Sequence, residues 1–563
     1  MKNLNLTTKL LTLIGFFIFA TAIAQQSPGY TLYSIKNSTT TQLIDTNSVV
    51  YHTWTHTGDP TCYSSYLMPG GYLWRSVTNT SPTFMGGPIS GQVQKIDYAG
   101  TLVWDFVYST TTYVTHHDIC PMPNGNVLLI AYELKSAADV AAAGCSAFSG
   151  AMWPDKIIEV QPTGATTGTI VWEWHAWDHL VQNTNASAAN YQTSIVNHPE
   201  LLNINYGAQK DWLHMNGVNY NPILDQVTFT SHNLNELYVI DHSTSTAEAA
   251  SHTGGNSGKG GDILYRWGNP AAYGATGTTI FNVVHDAHWV PEGSPNAGSL
   301  VGYNNKGISG TASCVDVFTP PVSGYNYALT LGSAYTPSTY SFRQASGGLN
   351  TNEGGSQQLP NGNTLLSMGV SGYLKEFSPT GTLLWSKTLT GGCAKAFRYT
   401  DCYINNAAPA TPTISAAGNI LTSSAATTYQ WYLNGALISG ATNQTYNATV
   451  SGIYVVRTTD INGCVKVYSD GFNFSFVTGV SENNLADGII IYPNPTNGIV
   501  TIDASILVGI NYEVHIFDLV GKLVSTEKNV SSIDLSAYEN GVYIIKITRE
   551  TGGSVSKRIS LIK

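Results

Sequence analysis

Short apolar runs separated by tight turns fill most of the chain, and the apolar spacing of an amphipathic helix is scarce. Two patterns recur. A glycine followed by apolar residues and a tryptophan occurs at residues 100–104 (GTLVW), 168–172 (GTIVW) and 381–385 (GTLLW). A Pro-Asn-Gly-Asn turn precedes an apolar run at 122–130 and again at 359–367. Tight turns between apolar runs of this length predict β-hairpins.

The repeats predict a six-bladed β-propeller, because repeated short strands with one tryptophan in each unit are typical of blades. At roughly 40–50 residues a blade, a stretch of ~300 residues holds about six. We place this domain at residues 91–405, where a looser copy of the tryptophan pattern occurs at 261–267. A β-sandwich or a β-helix explains the repeated turns less well. Residues 25–90 precede the clear repeats, and we interpret them as a small N-terminal β segment or as the strand that closes the ring.

Composition agrees with an all-β protein of several domains. A chain of 563 residues is too long for one ordinary core. Its 55 glycines and 33 tyrosines, with only 11% charged residues, favour turns and strands. The formal net charge is −10 and no basic face is evident, so nucleic acid is not an expected partner. The seven cysteines include no CxxC pair, and their pairing cannot be assigned from the sequence.

The first 24 residues have the pattern of a secretion signal. Lys2 and Lys9 supply positive charge, an apolar stretch covers residues 10–20, and small residues at 22–24 offer a cleavage site. The apolar stretch is short for a membrane span and no later stretch is long enough. We therefore expect no membrane span once the signal is removed.

Two further β modules follow the linker AAPATPT. Residues 406–478, with strands around Trp431, resemble the Ig-like modules of exported bacterial proteins, and we interpret them as a spacer. Residues 480–563 carry IIIYPNPTNG, VHIFDLVGKLV and IDLSAYENGVYIIKI, which resemble the C-terminal sorting domain of type IX secretion cargo in Bacteroidetes. This resemblance implies a small β-sandwich that engages the type IX machinery, and a protein that is secreted or attached to the cell surface.

Histidines supply the candidate chemistry, since thirteen of the fourteen lie between His52 and His288. They cluster in THHDIC (115–120), DWLHMN (211–216), TSHN (230–233) and VVHDAHW (283–289). Inner strands of a propeller converge on its axis, so distant histidines can meet in one funnel. Histidine is the side chain that can accept a proton, donate one and attack near neutral pH.

These clusters, with GDILYRWGNP and a downstream GYNNKG, resemble the PAPS-independent arylsulfate sulfotransferases over about residues 91–401. The resemblance implies a six-bladed propeller that moves a sulfuryl group from a small aryl sulfate to a phenolic acceptor. The transfer runs in two steps through a sulfated histidine. It needs no nucleotide donor, no metal and no other cofactor.

The resemblance also implies roles for single residues. His285 matches the nucleophile, and His117, with His116 beside it, matches the histidine of the first motif. His214 and Asn216 match a His-x-Asn pair that binds the sulfuryl oxygens. On an extended strand these two side chains share a face, as that role requires.

Three positions qualify this assignment. His285 and His288 would face opposite ways on a strand, so we expect His285 to reach the funnel and His288 to pack beside it. Where the best-known members carry an arginine, this chain has His232, which cannot offer a bidentate fork. Arg266 is a candidate for the missing cation.

Other interpretations stay open. A metal site at residues 116–118 is possible in principle, but a metal needs three or four ligands with defined geometry, so none is predicted. The glycine-rich residues 251–262 lack the Walker spacing and are interpreted as a flexible loop. A non-catalytic propeller that binds sulfated glycans or phenolics is one alternative function, and a sulfohydrolase is another.

Overall fold

The computed structural model describes residues 25–81, 83–476, 488–503, 507, 509–550 and 553–563. The predicted secretion signal lies outside these residues. The chain divides after Phe474 into two compact units, which are described separately. No helix among the described residues is long and apolar enough to cross a membrane.

The first unit is dominated by strands. In chain order they are β1 Tyr30–Ser34, β2 Thr40–Ile44, β3 Val50–Thr55, β4 Thr61–Met68, β5 Tyr72–Thr78, β6 Gly91–Ile96, β7 Leu102–Val107, β8 Tyr113–Pro121, β9 Val127–Glu133, β10 Asp155–Pro162, β11 Gly168–His175, β12 Leu180–Val181, β13 Leu202–Asn203, β14 Met215–Asn221, β15 Gln226–Ser231, β16 Glu236–Asp241, β17 Tyr265–Trp267, β18 Val284–Trp289, β19 Leu300–Ile308, β20 Ala312–Phe318, β21 Val322–Ser323, β22 Asn326–Tyr327, β23 Phe342–Ala345, β24 Gly355–Gln358, β25 Thr364–Met368, β26 Tyr373–Phe377, β27 Leu383–Thr388 and β28 Ala396–Tyr399.

Helices are few and short, as the sequence predicts. They are α1 Ala137–Ala142, α2 Thr246–Ala249 and α3 Asp401–Asn405, with 3-10 turns at Ala176–His179, Ile195–Asn197 and Pro270–Tyr273.

Six four-stranded sheets form the blades of a propeller, which confirms the predicted fold class. From the inner strand outward they are β4-β5-β6-β7, β8-β9-β10-β11, β14-β15-β16-β17, β18-β19-β20-β23, β24-β25-β26-β27 and β28-β1-β2-β3. The inner strands β4, β8, β14, β18, β24 and β28 each contact the next in turn, and β28 contacts β4. The ring therefore closes around one axis, where the inner strands meet.

The closing blade takes strands from both ends of the domain. Strand β28 pairs antiparallel with β1, with Tyr399 opposite Tyr30 and Ala396 opposite Tyr33. Residues 30–55 therefore belong to the ring, and the boundary expected at residue 91 falls inside the β4–β7 sheet. The repeats become clear only after the first blade, which is why the sequence pattern alone placed the boundary too late.

The recurring tryptophans join neighbouring blades. Each lies on the outermost strand of its blade, and its indole N–H donates to the blade that follows. Three such bonds run from Trp104 to Thr167 O (2.9 Å), from Trp172 to Thr244 Oγ1 (3.1 Å) and from Trp385 to Ser48 Oγ (3.1 Å). Trp54, outside the repeated pattern, bonds Asp97 O in the same way at 2.9 Å. A large buried ring with one polar atom suits such a contact between blades.

A two-sheet β-sandwich follows the propeller. Its strands are β29 Ile414–Ala417, β30 Ile420–Ser423, β31 Tyr429–Leu433, β32 Ala436–Leu437, β33 Thr445–Asn447, β34 Gly452–Thr459, β35 Lys466–Tyr468 and β36 Phe472–Phe474. Trp431 is fully buried in it, as its central place in the apolar pattern suggests. A disulfide joins Cys464 of the sandwich to Cys402 in α3.

The second unit is a small β-sandwich of two sheets. Its strands are β37 Ile490–Tyr492, β38 Ile499–Asp503, β39 Tyr512–Asp518, β40 Leu523–Lys528, β41 Ser532–Asp534, β42 Gly541–Arg549 and β43 Ser554–Leu561. Alternate residues of β39 and β42 are buried, among them Val514, Ile516, Ile545 and Ile547. This two-residue period is the apolar alternation of the sequence.

Candidate active site

The inner strands that carry histidines are interrupted by β-bulges at those histidines. The pairing shifts between Thr115 and Ile119 in β8, between Met215 and Gly217 in β14, and between His285 and His288 in β18. The backbone is left-handed at His117 and His214 (φ 52° at both) and at Asp286 (φ 59°). A bulge breaks the two-residue alternation and re-aims a side chain, so these bulges decide which side chains face the axis.

Five imidazoles form a continuous chain across three blades. Their ring centroids lie 5.1 Å apart for His116 and His117, 4.6 Å for His117 and His214, 5.1 Å for His214 and His232, and 5.4 Å for His232 and His285. Histidines separated by up to 169 positions in the chain thus occupy one site. We call this group the histidine chain.

Solvent reaches the histidine chain at its middle. The side chain of His214 is 16% exposed and His232 is half-buried. His117 and His285 are each only 1% exposed. A ligand would therefore enter beside His214 and His232 and meet the two buried rings behind them.

The pKa values of the rings in the histidine chain are shifted in different directions. Burial, followed by the charge of a neighbouring imidazole, lowers the pKa of His285 and of His117 well below the usual value and also lowers the pKa of His232. Burial also opposes the charge of His214, but Asp211 Oδ2 lies 2.6 Å from its Nδ1, and this carboxylate raises the pKa of His214 above the usual value. The pKa of His214 therefore lies above those of His117, His232 and His285, so His214 is the first of these rings to take up a proton.

The ring of His285 is held in one tautomer. Its Nδ1 lies 2.7 Å from Asn305 Oδ1, and Asn305 Nδ2 donates to the carbonyls of Asn350 and Glu353 at 2.9 and 2.6 Å. Because the amide oxygen only accepts, Nδ1 of His285 carries the hydrogen. The lone pair is on Nε2, which accepts a bond from the Glu353 backbone N–H at 3.2 Å.

A buried ion triad supports the bulges. Lys395 Nζ lies 2.6 Å from Asp118 Oδ2 and 2.8 Å from Asp286 Oδ1, and all three side chains are almost fully buried. Each aspartate directly follows a histidine of the chain, His117 or His285. Burial opposes the charge of Lys395 and of Asp286, but their mutual attraction prevails, so the pKa of Lys395 is raised and the pKa of Asp286 is lowered. The triad ties together the inner strands of three blades.

Comparison with known families decides where the chain belongs. Residues 29–312, just over half of the chain, match the family model of arylsulfotransferases (ASST). The chain belongs to the arylsulfotransferase family. Residues 490–562 match the secretion system C-terminal sorting domain, so the protein is exported and is secreted or held at the cell surface. Among curated protein sequences, none matches the chain significantly.

Solved structures resemble this arylsulfotransferase-family protein only distantly. A protein of unknown function from Bacteroides caccae is 12% identical, with 66% of this chain and 98% of that chain covered and a TM-score of 0.38. A nidogen/laminin complex is 7% identical, with 65% and 97% covered and a TM-score of 0.33. At these TM-scores the likenesses carry no argument.

Asn216 is not placed as expected for a ligand-binding residue of the family. Its Nδ2 donates to Val284 O at 2.9 Å, its Oδ1 accepts from Thr230 Oγ1 at 2.6 Å, and the side chain is fully buried. The expected shared face required an extended strand, but the left-handed residue His214 and the bulge after it separate the two side chains. Asn216 joins β14 to β18 instead.

Arg266 does not supply the missing cation. It lies on β17, the outermost strand of its blade, and is 1% exposed. Its guanidinium forms a bidentate pair with Glu236 and donates to the carbonyls of Pro199 and Leu201. Distance from the axis and full use of its donors exclude a substrate contact.

The remaining histidines support their neighbours. His116 is fully buried, stacks on Tyr132 with 3.6 Å between ring centroids, and lies with its Nδ1 2.8 Å from that of His117. Its Nε2 lies 2.9 Å from Asp155 Oδ1, although out of hydrogen-bond alignment. His288 Nδ1 lies 3.3 Å from Asp286 Oδ2 and outside the histidine chain. Neither ring is placed to contact a substrate directly.

Sequence reasoning did not single out several residues that shape the site. Asp211 lies inside the motif DWLHMN and Asn305 inside GYNNKG, so the family motifs pointed to both positions. Lys395 and Tyr63 had none, because they reach the axis from other blades. Tyr63 lies on β4, its ring is 5.2 Å from that of His117, and its buried hydroxyl has no hydrogen-bond partner among the described residues.

Proposed function

We propose that the protein transfers a sulfuryl group from an aryl sulfate to a phenolic acceptor through a sulfohistidine at His285. The observation that carries this proposal is the histidine chain, in which a tautomer-fixed imidazole with a lowered pKa and an imidazole with a raised pKa share a single site. Membership of the arylsulfotransferase family supports the same chemistry.

In the first step, Nε2 of His285 forms a bond to sulfur as the bond from sulfur to the aryl oxygen breaks. The departing phenolate takes the proton of His214, whose pKa is raised. In the second step, the acceptor phenol returns a proton to His214 while its oxygen attacks sulfur. The N–S bond breaks, and His285 becomes neutral again, so protons and charges balance over the cycle.

We assign His117 and His232 to the sulfuryl oxygens, because both contact the ring of His214 and His232 also contacts that of His285. Sulfuryl transfer needs in-line positioning and donors for the equatorial oxygens, as phosphoryl transfer does. His232 donates to the sulfuryl oxygens from Nε2, and only when it is protonated, because its Nδ1 hydrogen already bonds Asn233 Oδ1 at 2.8 Å. An arginine is always charged and donates two such bonds, so we expect transfer slower than in arginine-bearing relatives.

The test is turnover of 4-nitrophenyl sulfate, followed by nitrophenolate release, with and without a phenol acceptor. Release that requires the acceptor supports transfer, and release without it indicates a sulfohydrolase. His285→Ala should abolish release. His198→Ala is the control, because His198 pairs with Glu200 outside the histidine chain and should leave release unchanged.

The burial of His285 favours a second candidate, a non-catalytic binding propeller. His285 is 1% exposed and its Nε2 already accepts a hydrogen bond from Glu353. No release from the wild-type protein, together with binding of an aryl sulfate that His232→Ala weakens, would establish binding in place of transfer.

A further inference from the structure

A second group of histidines lies away from the propeller axis. His179 ends the 3-10 turn Ala176–His179, and His252 and Asp262 lie at the two ends of the glycine-rich loop. One ligand atom of each side chain lies within 4.8 Å of those of the other two. None of the three belongs to the histidine chain.

The hydrogen bonds of His179 leave a lone pair facing a carboxylate. Nε2 lies 2.8 Å from the carbonyl of Ala249, which can only accept, so Nε2 carries the hydrogen. In the neutral ring, Nδ1 then presents its lone pair to Asp262 Oδ1 at 2.9 Å. Two acceptors at this distance require a cation between them, either a proton or a metal ion. A backbone carbonyl on the remote nitrogen is the usual partner of a metal-bound histidine.

The glycines of the loop make this approach possible. A Cβ at Gly261 would lie 1.9 Å from Ala249 O and 2.6 Å from His179 Nε2, so no other residue fits there. Gly260, at φ +57°, would meet the carbonyls of Ser251 and Glu248. The glycines therefore bring Asp262 against His179, and the segment interpreted from sequence as a flexible loop is a packed one.

His252 supplies the third ligand from the open side. Its Nδ1 lies 2.7 Å from Asp262 Oδ1, and its side chain is 62% exposed, while that of His179 is fully buried. It borders a surface cavity of about 350 Å³ that is also lined by Trp177, Asp178 and Gln192. An incoming ion can thus reach the buried ligands from solvent, with a coordination position left for water.

We propose that His179, His252 and Asp262 form a binding site for a divalent transition-metal ion, with Zn²⁺ as the best match. Two imidazoles and a carboxylate are borderline ligands of the kind Zn²⁺ takes, with three protein ligands and one open position. The present ligand spacings are about half an ångström shorter than the edges of a tetrahedral zinc site. Rotation of the exposed His252 side chain widens its own spacing to Asp262, and a small shift of the Asp262 carboxylate widens the 2.9 Å spacing to His179.

The experiment measures Zn²⁺ bound by the full exported chain in equilibrium dialysis with ZnCl₂. The wild-type protein and His198→Ala should bind one more ion per chain than His252→Ala and Asp262→Asn. His252 is exposed, so its replacement tests the site without unfolding the chain, and circular dichroism checks this. Equal stoichiometry in wild type and in both variants would overturn the proposal.

A second readout separates this site from the histidine chain, which also offers imidazoles to Zn²⁺. Zinc-soaked crystals should give an anomalous peak between His179, His252 and Asp262, and no peak at that position would reject the site. Nitrophenyl sulfate turnover by His252→Ala should equal that of wild type. Failure of the sulfuryl-transfer proposal therefore leaves this test intact.

Discussion

Asp211 determines which histidine of the site has a raised pKa. Without its carboxylate 2.6 Å from Nδ1, burial alone would lower the pKa of His214, as it does for His117 and His285. With it, the pKa of His214 is raised. One residue, three positions from its partner, thus separates the pKa of the proposed acid, His214, from that of the proposed nucleophile, His285.

Asp211→Asn tests this separation through the pH dependence of kcat. A group that works in its protonated form loses activity as pH rises through its pKa, and the raised pKa of His214 moves that loss to higher pH. The variant should lose activity at lower pH than wild type, because the charge that raises the pKa is gone. Glu200→Gln, beside His198, is the matched control. If the kcat of Asp211→Asn falls at the same high pH as that of wild type, the acid is a group other than His214.

His232→Ala removes the ring that, when protonated, is proposed to donate to the sulfuryl group between His214 and His285. We expect kcat to fall about 10²–10³-fold, the usual effect of one lost donor to a developing anion. His242→Ala is the control variant, since His242 pairs with Asp225 and Glu159 and lies outside the histidine chain. Equal kcat values for wild type and His232→Ala would remove His232 from the sulfuryl site.

At the scale of the strands, the bulges of the inner strands orient the histidines. The triad of Lys395, Asp118 and Asp286 links the inner edges of three blades. Gly217 shows how closely these strands approach. A Cβ there would lie 2.7 Å from the backbone nitrogen of Ala287 on β18. The positions of the bulges therefore depend on contacts between blades as well as on each strand's own sequence.

Lys395→Met should destabilise the propeller by about 3–5 kcal/mol at neutral pH, because it leaves two carboxylates buried without a counterion. In wild type the stabilisation by Asp286 is complete above the usual carboxyl pKa and is lost progressively as pH falls from there toward its lowered pKa. In the variant, burial of Asp286 is no longer opposed by Lys395, which raises the pKa of Asp286, so acid relieves part of the penalty. Urea unfolding should show that the variant's free energy of unfolding falls further below that of wild type at pH 7 than at pH 5.

Lys135→Met is the control for that experiment, since Lys135 forms a partly exposed pair with Glu133 at 3.1 Å. Such pairs contribute at most about 1 kcal/mol. If Lys395→Met lowers the free energy of unfolding no more than this control does, the triad is dispensable to the fold.

At the scale of the molecule, a disulfide and a group of contacts to Glu292 are among the links that fasten the middle sandwich to the propeller. The disulfide Cys402–Cys464 spans 62 residues with 5.9 Å between Cα atoms. Glu292, in the loop after β18, accepts from Tyr432 at 3.0 Å and pairs with Arg457 and Lys466 of the sandwich. The sequence suggested a spacer, and these contacts make it an attached one.

Cys464→Ser should loosen this attachment. Opening a loop of that length restores about 4 kcal/mol of chain entropy to the unlinked state. Limited proteolysis should then cut the segment 406–412 faster than in wild type. Cys145→Ser, which replaces a free thiol, is the control. Equal cleavage rates would show that the noncovalent contacts, including those of Glu292, hold the sandwich in place without the disulfide.

The sequence by itself determined the strands, the blade pattern and the residue types of the site. Apolar alternation and Asn-Gly turns act over a few residues, so they are legible without the fold. The tryptophan phrase indicated repeated units, and the structure places its four copies on the outermost strands of four blades. His117, His214, His232 and His285 were identified from their motifs, and the structure brings them together.

Only the tertiary structure decided which of those side chains share the axis. The period of a strand placed Asn216 beside His214, but a bulge, held by contacts with the next blade, ended that period. Arg266 was a candidate for the missing cation from its motif, but the sheet order places it on an outer strand. Closure of the ring by β1 and β28, and the pairing of Lys395 with Asp118 and Asp286, join residues hundreds of positions apart. Such contacts depend on packing between blades, which no local pattern encodes.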